Sequence, residues 1–170
     1  MYIFLWLAAS LCAQDFTGVE RIVAVGDVHG DFEQFVTTLR SAGVVDGRNR
    51  WTGGKTHMVQ TGDVVDRGPD SRRAMDFLMN LERQAQRAGG RVHALIGNHE
   101  AMNIYGDLRY VAPAEYAAFQ TSGSAELRRR YYEQHLEQDA KAAAAARQDS
   151  AEYLRQWEKM RPLGWFEHRL

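Results

Sequence analysis

Between Arg21 and Ile96 the chain switches repeatedly between two hydrophobic patterns. Arg21 to Val25 (RIVAV) is a continuous run of β-branched and small apolar residues, the composition of a buried strand, and it stops at Gly26-Asp27. Phe32, Phe35, Val36 and Leu39 then recur at i, i+3, i+4 and i+7, one face of a helix, with Asp31 placed as its N-cap and Gly43 as its stop. Thr56 to Thr61 (THMVQT) reads as a second strand. Ala74, Phe77, Leu78 and Leu81 repeat the helical stripe before Gly89-Gly90, and Arg91 to Ile96 (RVHALI) reads as a third strand. Strands alternating with helices predict an α/β fold with parallel strands, because each helix returns the chain to the starting end of the sheet by a right-handed crossover. The three strand-to-helix junctions then share one edge, outside the carboxyl ends of the strands, where open α/β sheets bind ligands.

Those junctions carry the polar chemistry. They are GDVHG at Gly26 to Gly30, GDVVDRG at Gly62 to Gly68 and GNHE at Gly97 to Glu100. Carboxylate, imidazole and amide oxygen are hard or borderline ligands suited to iron, manganese or zinc. Asp27 and His29 can grip one ion. Asp63 can bridge it to a second ion about 3.5–4 Å away, the spacing at which two metals clamp an in-line displacement at phosphorus, and Asn98 would hold that second ion. His99 is placed to protonate a leaving alkoxide, Asp66 to orient its ring, and Arg67 to fork two hydrogen bonds onto phosphate oxygens. Taken singly, each such residue is more often a turn former or helix cap; the site reading rests on three motifs in order, each at a strand end. Glu100 reads as a structural hydrogen-bonding group. His57 and His93 sit inside strand-like runs, and His135 and His168 lie in helical sequence without an evident ligand partner.

GDVHG, GDVVDRG and GNHE together resemble the signature of the phosphoprotein phosphatase family of calcineurin-like metallophosphoesterases, and the continuation AMNIYGDLRYV with Glu115-Tyr116 is similar to its bacterial Shewanella-like branch. The resemblance implies a β-sandwich flanked by helices, of which this chain would supply the N-terminal βαβαβ half plus a helical insertion. It implies a pair of metal ions (manganese, iron or zinc): the residues matching Asp27, His29 and Asp63 hold the first, and those matching Asp63 and Asn98 hold the second. His99, Asp66 and Arg67 match the general acid, its partner and the phosphate clamp. The implied activity is hydrolysis of phosphomonoesters, on a phosphorylated protein or small phosphoester, by a metal-bound hydroxide. A bis(nucleosyl)-tetraphosphate or other nucleotide phosphohydrolase is the alternative. The family completes its second metal site with histidines on later strands, the first in a His-Gly-Gly context, and this sequence carries no such segment. The expectation is therefore the front part of a longer enzyme, inactive by itself, with a non-catalytic fragment or pseudo-enzyme as the other reading.

From Ala112 to Met160 the sequence becomes Gly-poor, charged and alanine-rich, and reads as a helical insertion. Pro113 suits a first turn, Ser122-Gly123-Ser124 makes a break, and Leu127, Tyr131, Tyr132, Leu136 and Ala140 form stripes. The insertion either caps the active edge or packs on its flank. Arg109 and Tyr110 stand open between substrate contact and helix packing. Residues 1–13 end in a short apolar run, YIFLWLAASLCA, that resembles a secretory signal peptide without a basic n-region. The expected location is periplasmic or secreted, with no stable membrane insertion after cleavage, or else membrane-anchored through an uncleaved run. Residues 14–170 would form the metallophosphoesterase part. A length of 170 residues at 45% hydrophobic content suffices for one globular domain. The net charge of -1 gives no sign of a nucleic-acid partner, and Arg128-Arg129-Arg130 reads as a solvated helix face.

Overall fold

Three parallel strands, β1 (Ile22–Val25), β2 (His57–Gln60) and β3 (Arg91–Ala94), lie side by side in sequence order in the computed structural model, which describes residues 15–145 and 150–168. The N-terminal apolar run lies outside the described residues. Helix α1 (Phe32–Ser41) joins β1 to β2, and α2 (Ser71–Arg87) joins β2 to β3. Strands added in one direction by right-handed crossovers place every connecting helix on the same face of the sheet. Val25, Met58 and Val92 accordingly meet Phe35, Leu39, Phe77, Leu78 and Leu81 in one apolar core, with Leu39, Met58 and Leu81 wholly enclosed. Truncating any of these to alanine costs about 2–5 kcal/mol where the site cannot collapse.

The local signals act as their chemistry requires. Asp31 caps α1 by accepting the Gln34 N–H at 3.0 Å, and Gly43 leaves the helix with a left-handed φ of 65°. The third strand ends earlier than its apolar run. Leu95 N–H still reaches Gln60 O at 2.9 Å, but the chain then turns toward GNHE, leaving Leu95 and Ile96 exposed. On the second face of the sheet, Phe16 stands edge-on against His57 and His93, and Ile22 is exposed. Parallel sheets bury both faces as a rule; among the described residues this one is layered by helices on one face only.

The motif GNHE opens a further helix, α3 (Asn98–Tyr105), closed by Gly106 in the left-handed region. Beyond it run α4 (Pro113–Phe119), α5 (Ser124–Ala145), α6 (Ser150–Met160) and α7 (Trp165–His168). Pro113 takes the first turn of α4, and α5 starts at the Ser-Gly-Ser break. Helix α4 packs on α2, where Arg72 donates to Ala118 O at 2.7 Å and lies over the Phe119 ring. Helices α5 and α6 meet around Trp157, which contacts Tyr131 and Tyr132 and is 2% exposed. The arginine triplet is occupied by ion pairs, Arg128 with Glu158 and Arg129 with Glu126 and Glu133. An apolar cavity of about 490 Å³, lined by Met75, Met79, Leu95 and Phe119 among others, opens on the α2–β3–α4 flank; its lining suits packing rather than phosphate.

Candidate active site

The first two motif loops are welded to each other by their main chains, and the third is tied to the second through the side chains of Glu100 and Asp63. Val28 and His29 donate N–H groups to Asp63 O, Gly30 donates to Val64 O, and Gly68 returns a bond to His29 O, all at 2.9–3.0 Å. This proximity is possible only without side chains at two crossings. A Cβ on Gly30 would lie 2.7 Å from the Gly68 carbonyl carbon, and one on Gly62 would lie 2.3 Å from Gly97 N. Four non-glycine residues of the site, His29, Asp63, Asp66 and Arg67, have φ between 49° and 72°. Left-handed backbone is costly for such residues and persists where its surroundings over-determine it.

Glu100 supplies much of that determination. Its carboxylate accepts N–H groups from Asp63, Gly97, Val64 and Val65 at 2.7–3.2 Å. The structural role read for Glu100 is thus that of a latch between the second and third loops. A residue the sequence reading passed over, Gln60, is completely enclosed and ties the first two loops, donating to Gly26 O and Gly62 O and accepting Gly62 N–H.

Asp27, His29 and Asp63 come together with one potential ligand atom each, all within 4.8 Å of one another. His29 Nδ1 faces Val65 O at 3.1 Å. With the proton on Nδ1, Nε2 is left as a lone-pair donor beside Asp27 Oδ2, 3.5 Å away. Two carboxylates and an oriented imidazole fit a divalent cation. Asp63 Oδ1 also accepts the His99 N–H at 2.9 Å, joining this group to the start of α3, where Asn98 is exposed in the first turn.

The second unit is the pair His99 and Asp66. Nδ1 of His99 lies 2.7 Å from Asp66 Oδ2, with the two side chains 4% and 0% exposed. Asn103, one turn along α3, donates to Asp66 Oδ1 and to His99 O. Its spacing from His99 was the available signal, and only the fold shows that it reaches Asp66. Arg67 Nη2 approaches His99 Nε2 at 3.4 Å, so guanidinium and ring face one point. The Tyr110 ring is tilted against His99 with centroids 5.2 Å apart, and its carbonyl accepts the Arg67 N–H. Arg109 instead pairs with Asp107.

His168 departs from expectation. Rather than lacking a partner, it lies with Asp66 and Glu115 in a second group of potential ligand atoms, again within 4.8 Å of one another. Glu115 is fully enclosed, and burial, the largest influence, raises its pKa above the ordinary carboxyl value, with the charge of Asp66 adding to the rise. Burial likewise lowers the pKa of His168, while Asp66 opposes that shift. His57 and His93 touch each other at 3.1 Å on the sheet, away from the motif residues. The His135 side chain lies outside the described ones.

The parallel sheet thus carries an acidic and histidine-rich edge coupled to a buried His–Asp pair. Residues 20–163 match the calcineurin-like phosphoesterase family, and the chain belongs to it. It is 49% identical over 105 residues to Shewanella-like protein phosphatase 2 of Arabidopsis thaliana, covering 62% of this chain and 27% of that protein. It is 30% identical over 83 residues to a zinc-dependent endopolyphosphatase of Saccharomyces cerevisiae, covering 49% of this chain and 22% of that protein. Among solved structures, a cold-active protein-tyrosine phosphatase of a psychrophilic Shewanella species superposes with a TM-score of 0.57 at 42% identity, over 59% of this chain and 30% of that one. The chain thus spans less than a third of the length of these relatives.

Proposed function

We propose that this chain carries the front part of a metal-dependent phosphomonoester hydrolase acting on phosphorylated protein side chains through a dinuclear centre. The observation that carries the reading is the coupling of the two units: Asp63 belongs to the Asp27–His29 ligand group and also holds the backbone of the general-acid candidate His99. Metal ions held by Asp27, His29, Asp63 and Asn98 would supply activation of the attacking water and charge neutralisation at phosphorus.

The chain's own groups account for the remainder. Arg67 forks onto non-bridging phosphate oxygens and fixes the ester against the ring. His99 delivers a proton from Nε2 to the leaving oxygen, while Asp66 fixes the opposite nitrogen, Nδ1, and stabilises the protonated ring before transfer. Asn103 holds Asp66 in plane for that role. Phosphoprotein as the substrate class is supported by the protein phosphatases that the chain resembles.

The test is manganese titration calorimetry combined with hydrolysis of p-nitrophenyl phosphate and a phosphopeptide. The purified chain binds manganese through Asp27, His29 and Asp63 without turnover, and Asp63→Asn weakens that binding by about 100-fold or more, since a direct ligand is worth at least as much as the groups that only orient one. Manganese binding unchanged in Asp63→Asn would remove the metal reading. Vigorous turnover by the chain alone would show that these residues suffice for catalysis.

A further inference from the structure

Behind the His99–Asp66 pair lies a second polar cluster, to which elements outside the motif loops contribute Glu115 and His168. Glu115 projects from the first turn of α4, with Oε2 accepting Ala112 N–H at 3.2 Å. His168 is delivered by α7, whose start fits only because Gly164 (φ 89°) has no side chain: a Cβ there would collide with the Tyr116 carbonyl. The Tyr116 and Phe119 rings wall the imidazole at 5.5 and 4.8 Å. Asp66 completes the cluster from the second motif loop.

Its polar atoms are incompletely satisfied. Glu115 Oε1, both ring nitrogens of His168 and the Ser71 hydroxyl are buried without a well-formed hydrogen bond, although the Ser71 hydroxyl and the Asp66 N–H lie near enough to Glu115 to offset part of the burial penalty on its carboxyl; buried polar groups in folded proteins are nearly always paired. Glu115, Asp66 and Ser71 are each 0% exposed. The geometry points to a divalent-cation site of the zinc class held by Asp66, Glu115 and His168, distinct from the Asp27–His29–Asp63 group.

Three alternatives compete for the cluster. Direct hydrogen bonds among Glu115 Oε1 and the His168 nitrogens are not formed, although the three candidate ligand atoms lie within 4.8 Å of one another. Such spacing suits atoms arranged about a shared centre, since ligands at about 2.0–2.2 Å from zinc stand somewhat over 3 Å apart. A proton on Glu115 would quench one charge and leave both His168 nitrogens without a bond; Asp66 already has His99 and Asn103 as partners. One divalent ion neutralises both carboxylates and occupies a nitrogen of His168, and the Ser71 hydroxyl or a water is available as the fourth ligand. The donor set of two carboxylates and one imidazole selects zinc, cobalt, manganese or iron over calcium. Placed there, the ion cross-links α4 and α7 to the second motif loop and bears on Asp66 from the side opposite His99.

The experiment begins by removing the other site. The Asp27→Asn/Asp63→Asn double variant of the full chain is loaded with zinc, gel-filtered and assayed for metal by mass spectrometry, with circular dichroism as the fold check. The expected result is retention of about one zinc per chain, as for a site preformed by the fold, and its loss on adding either His168→Gln or Glu115→Gln. Cobalt in the double variant gives a visible spectrum with nitrogen ligation that disappears in His168→Gln. Zinc-edge anomalous density between Asp66, Glu115 and His168 in crystals of the unsubstituted chain tests the site without any variant. No zinc in the folded double variant, zinc retained undiminished in His168→Gln, or a blank anomalous map at these three residues overturns the assignment.

Discussion

The motif edge and the helical segment that follows it are held by different means. At the edge, the backbone does the binding: loop N–H groups meet loop carbonyls, four more N–H groups meet Glu100, and glycine pairs permit the contact. In the helical segment the elements meet through side chains. Trp157 fills the α5–α6 junction, Arg72 and Phe119 seat α4, and buried polar atoms of Trp157, Arg161 and His168 stand without hydrogen bonds. A backbone-to-backbone weld fixes ligand positions tightly and tolerates little change; a side-chain junction is forgiving and transmits little.

The contrast is most sharply broken at Gly62. Adding a methyl there strains a φ of 99° and drives Cβ to 2.3 Å from Gly97 N. Gly62→Ala is expected to destabilise the chain by about 3 kcal/mol or more, in the upper range for single substitutions, and to abolish manganese binding; urea melts and calorimetry check both. Glu100→Gln comes next, since an amide offers one acceptor oxygen where the carboxylate serves four N–H groups. Its expected cost is about 2–3 kcal/mol, the loss of charge-assisted bonds, together with weakened manganese affinity. Trp157→Ala tests the opposite region: cleavage of α5 and α6 by protease should accelerate, while manganese affinity stays within about twofold because the welded edge makes no use of that junction. A matched loss of affinity would show that the two regions are coupled.

The smallest effect concerns acid. Asp46 accepts the Arg50 N–H, then the Arg50 side chain and the Arg48 N–H, and these partners hold its pKa below 3.8. A carboxylate depressed in the folded state gives stability that is complete above the unfolded value and disappears as pH falls through the folded one. Amide exchange at Arg48 and Arg50 should therefore quicken only below about pH 4, the ordinary range for aspartate. Asp46→Asn should remove that dependence and leave the motif loops untouched.

Sequence patterning exposed the strands, both crossover helices and the shared edge because each depends on local periodicity. The cluster of Asp27, His29 and Asp63 was legible because all three follow strand-like runs, and parallel strands bring their carboxyl ends to one edge. Gln60 was not: inside a strand pattern it reads as an ordinary inward position, and its three partners belong to two loops. Asn103 sits at helical spacing from His99, but its bond to Asp66 depends on how α3 meets the second loop. The partners of His168 come from the second loop and α4, so no spacing along the chain announces them. The strand run was over-read at Leu95 and Ile96 because hydrophobicity persists where the ladder has ended.

The sequential strand order also bears on how the molecule comes into being. Each strand pairs with the one made just before it, so the sheet can grow strand by strand from its N-terminal side during synthesis, each pairing waiting for a complete crossover helix. The left-handed loops cannot follow that schedule. Asp63 and Val64 wait for the carboxylate of Glu100, which emerges only after β3. The fold therefore predicts a slow final phase in refolding, in which the sheet is already protected from exchange while the amides of Asp63, Val64 and Gly97 still exchange freely.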